Sequence, residues 1–133
     1  MFVIKQESTP IEWPLEWNEP QSGGGFVPRP FKGVYRLPRQ ERLDEIRRLA
    51  NQALRGELAA GRSVEEDIRL ADEYFTGWAD VNNPDGTVFE VNPVNRAVFM
   101  GLPGMREVII KGLYDIVTGT AERKNSKTPR ATG

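Results

Sequence analysis

The chain has 133 residues, a formal net charge of -1, no cysteine and no histidine, with 38% hydrophobic and 28% charged residues. That size suits one domain with a modest core, and the near-neutral balance supplies no field for nucleic acid or an anionic membrane. Without thiols or imidazoles, disulfide frameworks, thiolate zinc sites and Ser-His or Cys-His catalysis are excluded, so an enzyme would have to use carboxylates, Lys, Arg, Tyr or Ser.

Phe2 to Lys5 is a short apolar run that could pair as an edge strand. It is too short for a signal-peptide core, and no apolar run approaches the ~18 residues of a membrane span, so a cytoplasmic protein is the expectation. In Ile11 to Trp17 the residues Ile11, Trp13, Leu15 and Trp17 fall on one face at period two, which predicts a half-buried strand. Pro14 pushes that strand to a sheet edge. A polar loop ending in Gly23, Gly24 and Gly25 reverses the chain. Phe31, Gly33 or Val34, and Tyr35 then mark a second extended segment, so the start of the chain reads as a β-hairpin or small meander.

From Pro38 the period becomes helical, with Leu43, Ile46, Leu49 or Ala50, Ala53 or Leu54, and Leu58 inward and Gly61 as the stop. Ser63-Val64-Glu65-Glu66 is a capping-box pattern that opens a second helix, with Val64, Ile68, Ala71, Tyr74 or Phe75, and Trp78 as its buried face. The short link at Gly61-Arg62 makes the two helices antiparallel neighbours. Asn83-Pro84-Asp85-Gly86 predicts a turn, with Asp80-Val81 and Thr87-Val88-Phe89 around it as a tiny hairpin or an extended loop. Asn92 caps a short helix starting at Pro93, whose inner face is Val94, Ala97 and Val98. Leu102-Pro103 introduces the last helix, in which Met105, Val108 or Ile109, Gly112 or Leu113, and Ile116 or Val117 face inward, ending at Gly119.

Several patterns invite chemistry and are better read as structure. Asp80 to Gly86 is rich in oxygen ligands, yet Pro84 and Asp85 break the calcium-loop spacing, so a plain turn is expected and no metal or other cofactor. The three glycines lack the Gly-Lys-Ser/Thr continuation of a phosphate cradle. Glu65-Glu66-Asp67 and Asp72-Glu73 are carboxylates on solvated helix faces. Arg123, Lys124, Lys127 and Arg130 make the end of the chain basic, which serves solubility or docking better than nucleic-acid recognition.

The order of these features resembles a known family. Trp13-Pro14-Leu15, a loop, Phe31-Lys32 leading to Arg36-Leu37-Pro38, a charged helix, Gly77-Trp78, Asp85-Gly86, Phe89, Asn92, Leu102-Pro103-Gly104, a last helix and Ala121 to Asn125 look like the tail assembly chaperones of long-tailed bacteriophages. The resemblance covers roughly 13–125 and departs at Val91, where Ser or Thr is expected. It implies a non-enzymatic protein of the host cytoplasm that binds and solubilises the tape measure protein, helps recruit major tail protein subunits, and forms a homo-oligomer. Contact with the client is expected from the surface left by Trp13, Trp17, Phe31 and Tyr35 and from the last helix around Met105 and Ile109. The competing expectation is a structural virion protein, a tail completion or head-tail connector component. A host-directed regulator binding nucleic acid through the basic tail is a further rival.

The expected architecture is α+β and mainly α-helical, with about four helices, an N-terminal β-hairpin and a disordered C-terminal tail. A single domain spans 1–120, with the hairpin in 1–37 and the helices in 38–120, followed by a flexible basic tail at 121–133.

Overall fold

The computed structural model describes residues 2–4, 9–56 and 60–119. It is a mixed α+β fold of three strands and four helices, in the order β1 (Ile11–Pro20), β2 (Phe26–Tyr35), α1 (Gln40–Leu54), α2 (Ala60–Tyr74), β3 (Phe75–Ala79), α3 (Pro93–Met100) and α4 (Met105–Thr118). The expected tail at 121–133 lies outside the described residues. Phe2–Ile4 forms no strand, contrary to the edge pairing expected there.

β1 and β2 form the expected hairpin, in register from Ile11 opposite Tyr35 to Pro20 opposite Phe26. Its four prolines, at 14, 20, 28 and 30, all fall in even-numbered pairs. A proline has no N–H to give, so the odd-numbered pairs carry the ladder bonds between these strands. Ile11, Trp13, Leu15 and Trp17 of β1 are half-buried and pack on the core, as the alternation predicts.

The third strand was not anticipated. β3 begins at Phe75, directly after the last residue of α2, and pairs antiparallel with β2 to give the sheet order β1-β2-β3. Gly33 faces Trp78 and Tyr35 faces Phe75, which leaves Thr76 as an extra residue. This bulge puts Phe75 and Trp78, three apart in sequence, on the same inner face. Thr76 Oγ1 donates to Val34 O at 3.1 Å, bonding the bulge back to β2.

α4 is the centre of the molecule, touching β1, β2, α1, α2 and α3. Met105, Ile109, Ile110, Gly112, Leu113 and Val117 are its buried residues, and burial of each large side chain stabilises by about 1.5–3 kcal/mol. It lies close to the sheet because two glycines make room. A Cβ on Gly112 would stand 2.5 Å from the Tyr35 hydroxyl and 2.7 Å from Leu15 Cδ2, and one on Gly33 would stand 2.7 Å from Leu15 Cδ1. In that notch Tyr35 donates its hydroxyl to Ile109 O at 2.7 Å.

Three further expectations are corrected. α1 stops at Leu54, not near Gly61, because Gly56 is reached first and takes the left-handed conformation (φ 69°) that closes a helix. α2 starts at Ala60, ahead of the Ser63 box, and its inner residues are Leu70, Ala71 and Tyr74, while Val64 and Ile68 are exposed. α1 and α2 each pack on α4 more than on one another, and a 2.9 Å ion pair between Arg42 and Glu73 links them. In α3, capped as expected by Asn92 accepting from Asn95 N, the face of Val94, Ala97 and Val98 points outward. Phe99 takes the inward position, since its ring removes more apolar area from water than any of the three.

Arginines bond carbonyls at the ends of two helices. Arg36 donates through Nη2 to Glu73 O at 2.7 Å, and Arg96 donates through Nη2 to Ala71 O at 3.0 Å and Nη1 to Phe75 O at 2.6 Å. Both serve the carbonyl end of α2, where the chain passes straight into β3 and leaves no residue for a glycine cap. Arg47 Nε donates to Val117 O of α4 at 2.7 Å, adding to the left-handed Gly119 (φ 68°) that caps that helix.

Candidate apolar docking site

At the turn end of the hairpin an aromatic assembly reaches the surface. Trp78 stacks on Phe99 with centroids 4.4 Å apart and on Phe89 at 5.4 Å, and Phe31 meets Phe99 edge-on at 5.5 Å. Offset stacks and edge contacts are the arrangements the ring quadrupoles favour. Trp78 Nε1 donates to Phe89 O at 2.7 Å, fixing the loop after β3 over the rings. Trp17 Nε1 donates to Pro103 O at 2.7 Å, so β1 is tied to the α3–α4 connection.

Between these parts lies a groove of about 550 Å³. Trp17, Phe31, Val81, Phe89, Phe99 and Met105 give it an apolar floor, and Val98 and Leu102 continue that floor toward α3. Polar groups stand only at the rim: Arg29 paired with Glu19 at 3.1 Å, and Asp80, Asn82 and Asn83 across from them. Asp80 holds a left-handed backbone (φ 63°), a conformation that Asp tolerates better than most residues, and its carboxylate lies 3.7 Å from Lys32. The adjoining turn is built as the sequence predicts, with Gly86 N donating to Asn83 O at 2.9 Å. Asp85 Oδ1 accepts from Thr87 Oγ1 and Thr87 N, bonds that hold its carboxyl below the usual range.

The outward face of α3 adjoins the groove. Val94 is 75% exposed and Val98 58%, with Val88 and Val91 also exposed before the helix. From Val91 to Met105 the one charged residue is Arg96, and its guanidinium is turned inward to α2. The result is an uncharged apolar strip that runs into the groove at Val98.

The expected contact residues divide between this site and the core. Trp17, Phe31 and Met105 line the groove together. Trp13 is half-buried against the core without lining it. Tyr35 and Ile109, at 1% and 0% exposure, are deep core residues and offer no surface in this fold. Burial holds the Tyr35 phenol well above its ordinary value, with Asp115 adding to the effect, and burial pushes Tyr114 up to about 12. Phe89, Phe99, Val94 and Val98 were not expected at a contact site. The spacing of the two valines did signal an apolar face, but helical period alone does not say which way a face points.

Among the described residues no group of three or more Asp or Glu is placed to hold a metal ion. No helix among them is long and apolar enough to cross a membrane. No protein-family model, curated protein or solved structure matches the chain.

Proposed function

We propose that this chain is a tail assembly chaperone of a long-tailed bacteriophage, which binds apolar helical segments of the tape measure protein and keeps them soluble in the host cytoplasm. One observation carries the reading of a binding surface: the aromatic groove and the uncharged valine strip of α3 meet at Val98 and form one continuous apolar face. Soluble monomers seldom expose such continuous patches unless a partner covers them. An amphipathic helix lays its apolar residues into a groove of this kind, with anchors at helical spacing. The phage setting and the identity of the client rest on the order of sequence features set out above.

Binding of this type needs no reactive group, cofactor or membrane anchor, and the protein acts stoichiometrically. It releases its client as major tail protein subunits polymerise around it. The test is co-expression with the tape measure protein of the same genome. The client becomes soluble and co-purifies with the native chain, and Val94→Glu with Val98→Glu abolishes capture while leaving the melting temperature unchanged. A client that stays insoluble overturns the reading. Recovery of the protein in purified virions would favour a structural component instead.

A further inference from the structure

The three walls of the groove differ in charge. On the hairpin side Arg29 and Glu19 neutralise one another at 3.1 Å. On the helix side Val98, Leu102 and Met105 line the groove, and the next charges along the chain, Arg106 and Glu107, pair at 3.4 Å. The third wall is the loop after β3, and it is acidic. From Asp80 to Asn95 the sequence holds Asp80, Asp85 and Glu90 and no lysine or arginine.

Each of these carboxylates adjoins a lining residue. Asp80 lines the groove beside Val81, Asp85 follows Pro84, and Glu90 follows Phe89, with the last two carboxylates exposed. Among the described residues the one cation paired with this wall is Lys32, 3.7 Å from Asp80, and Glu12 shares it at 3.8 Å. Asp85 is held by hydrogen bonds from Thr87, which fix its position without cancelling its charge. The wall therefore keeps a net negative charge beside an apolar floor.

Such an imbalance sorts what lies in the groove. A helix seated by its apolar face turns one flank to the loop. Lysine or arginine on that flank meets carboxylates that lack a full counter-charge, whereas aspartate or glutamate meets like charge, which discriminates against the wrong partner. We propose that the groove selects apolar helical segments carrying lysine or arginine along one flank, and that the loop from Asp80 to Glu90 is the wall that recognises that flank. This rests on the reading of the groove as a helix-docking site and adds the chemistry of the segment it accepts. Because the opposite walls are neutral, the charged flank also sets the direction in which the helix lies.

The test uses blocked amphipathic peptides that share one apolar face and differ only along one flank, which is lysine, glutamine or glutamate. Binding to the full chain is followed by the anisotropy of a label on the peptide. In low salt the lysine peptide is expected to bind about tenfold more tightly than the glutamate peptide, with glutamine between them, and the spread shrinks in high salt as screening shortens the reach of the wall. Asp80→Asn, Asp85→Asn and Glu90→Gln together should bring the lysine peptide to the affinity of the glutamine peptide and leave the latter unchanged. Asn suits both sites, since it tolerates the left-handed backbone of residue 80 and keeps an oxygen for Thr87. Equal binding of the lysine and glutamate peptides overturns the proposal, as does a lysine preference that survives the triple substitution. Peptides that bind without this order leave the groove as a docking site and remove only its charge selection. If none of the three binds, or if Val94→Glu with Val98→Glu leaves their binding intact, the docking reading itself falls and the selection falls with it.

Discussion

Two residues show how little atomic room the fold leaves. Gly112 is the point where α4 comes closest to the sheet, and a methyl there meets the Tyr35 hydroxyl and Leu15 at once. Gly112→Ala is expected to cost about 1–3 kcal/mol in urea unfolding despite the better helix propensity of Ala, because the clash lies in a packed core. A gain in stability would show that α4 can move off the sheet. Asp67, half-buried on α2 near α4, has its carboxyl raised by burial, with Glu107 and Glu66 adding to the rise and Arg106 opposing it. The folded chain then holds that proton more tightly than the unfolded chain, so stability falls as pH rises from the ordinary 3.8 through the raised value. Asp67→Asn should raise the urea midpoint at pH 7 and leave it little changed at pH 3. An equal effect at both would assign the gain to something other than charge. Glycine and carboxylate alike look unremarkable in the sequence, since their roles depend on what the fold brings beside them.

At the scale of elements, the helix that ends without a linker is the most exposed to a single change. Arg96 bonds two carbonyls at the α2–β3 junction and lies over the Phe75 ring, 5.2 Å from its centroid. Arg96→Ala should destabilise by about 1.5–3 kcal/mol, since bonds to a charged donor are lost and partly buried carbonyls are left unpaired. Arg96→Lys should recover little of it, because an ammonium cannot span both acceptors as the planar guanidinium does. Near-complete recovery by Lys would mean that charge alone matters there. Local signals marked the hairpin, the Asn92-Pro93 start of α3, the Asn83–Gly86 turn and the Gly119 end of α4, because each is decided by neighbours in sequence. β3 was hidden for a physical reason. A bulge at Thr76 converts the two-residue period of a strand into the three-residue spacing of Phe75 and Trp78, which reads as helix. Carrying Trp78 into α2 also turned the inferred inner face toward Val64 and Ile68, away from Leu70.

For the molecule as a whole, the groove was not legible because its walls come from three separated stretches: β1 and β2, the loop after β3, and the region from Val98 to Met105. Trp17, Phe31 and Met105 were singled out as apolar and large, but only the folded chain brings them together and withdraws Tyr35 and Ile109 into the core. The prolines of the hairpin bear on a different property. With the odd pairs of the ladder turned inward, Pro14 stands where β1 would offer a backbone N–H to a passing chain, and Pro28 and Pro30 do the same on β2 beyond the reach of β3. The β1 edge and the part of β2 beyond β3 are therefore poor templates for a further strand, which should slow conversion of this aromatic-rich protein into cross-β fibres. Thioflavin T should rise only slowly in concentrated, agitated solution, and replacing Pro14, Pro28 and Pro30 by Thr should hasten it.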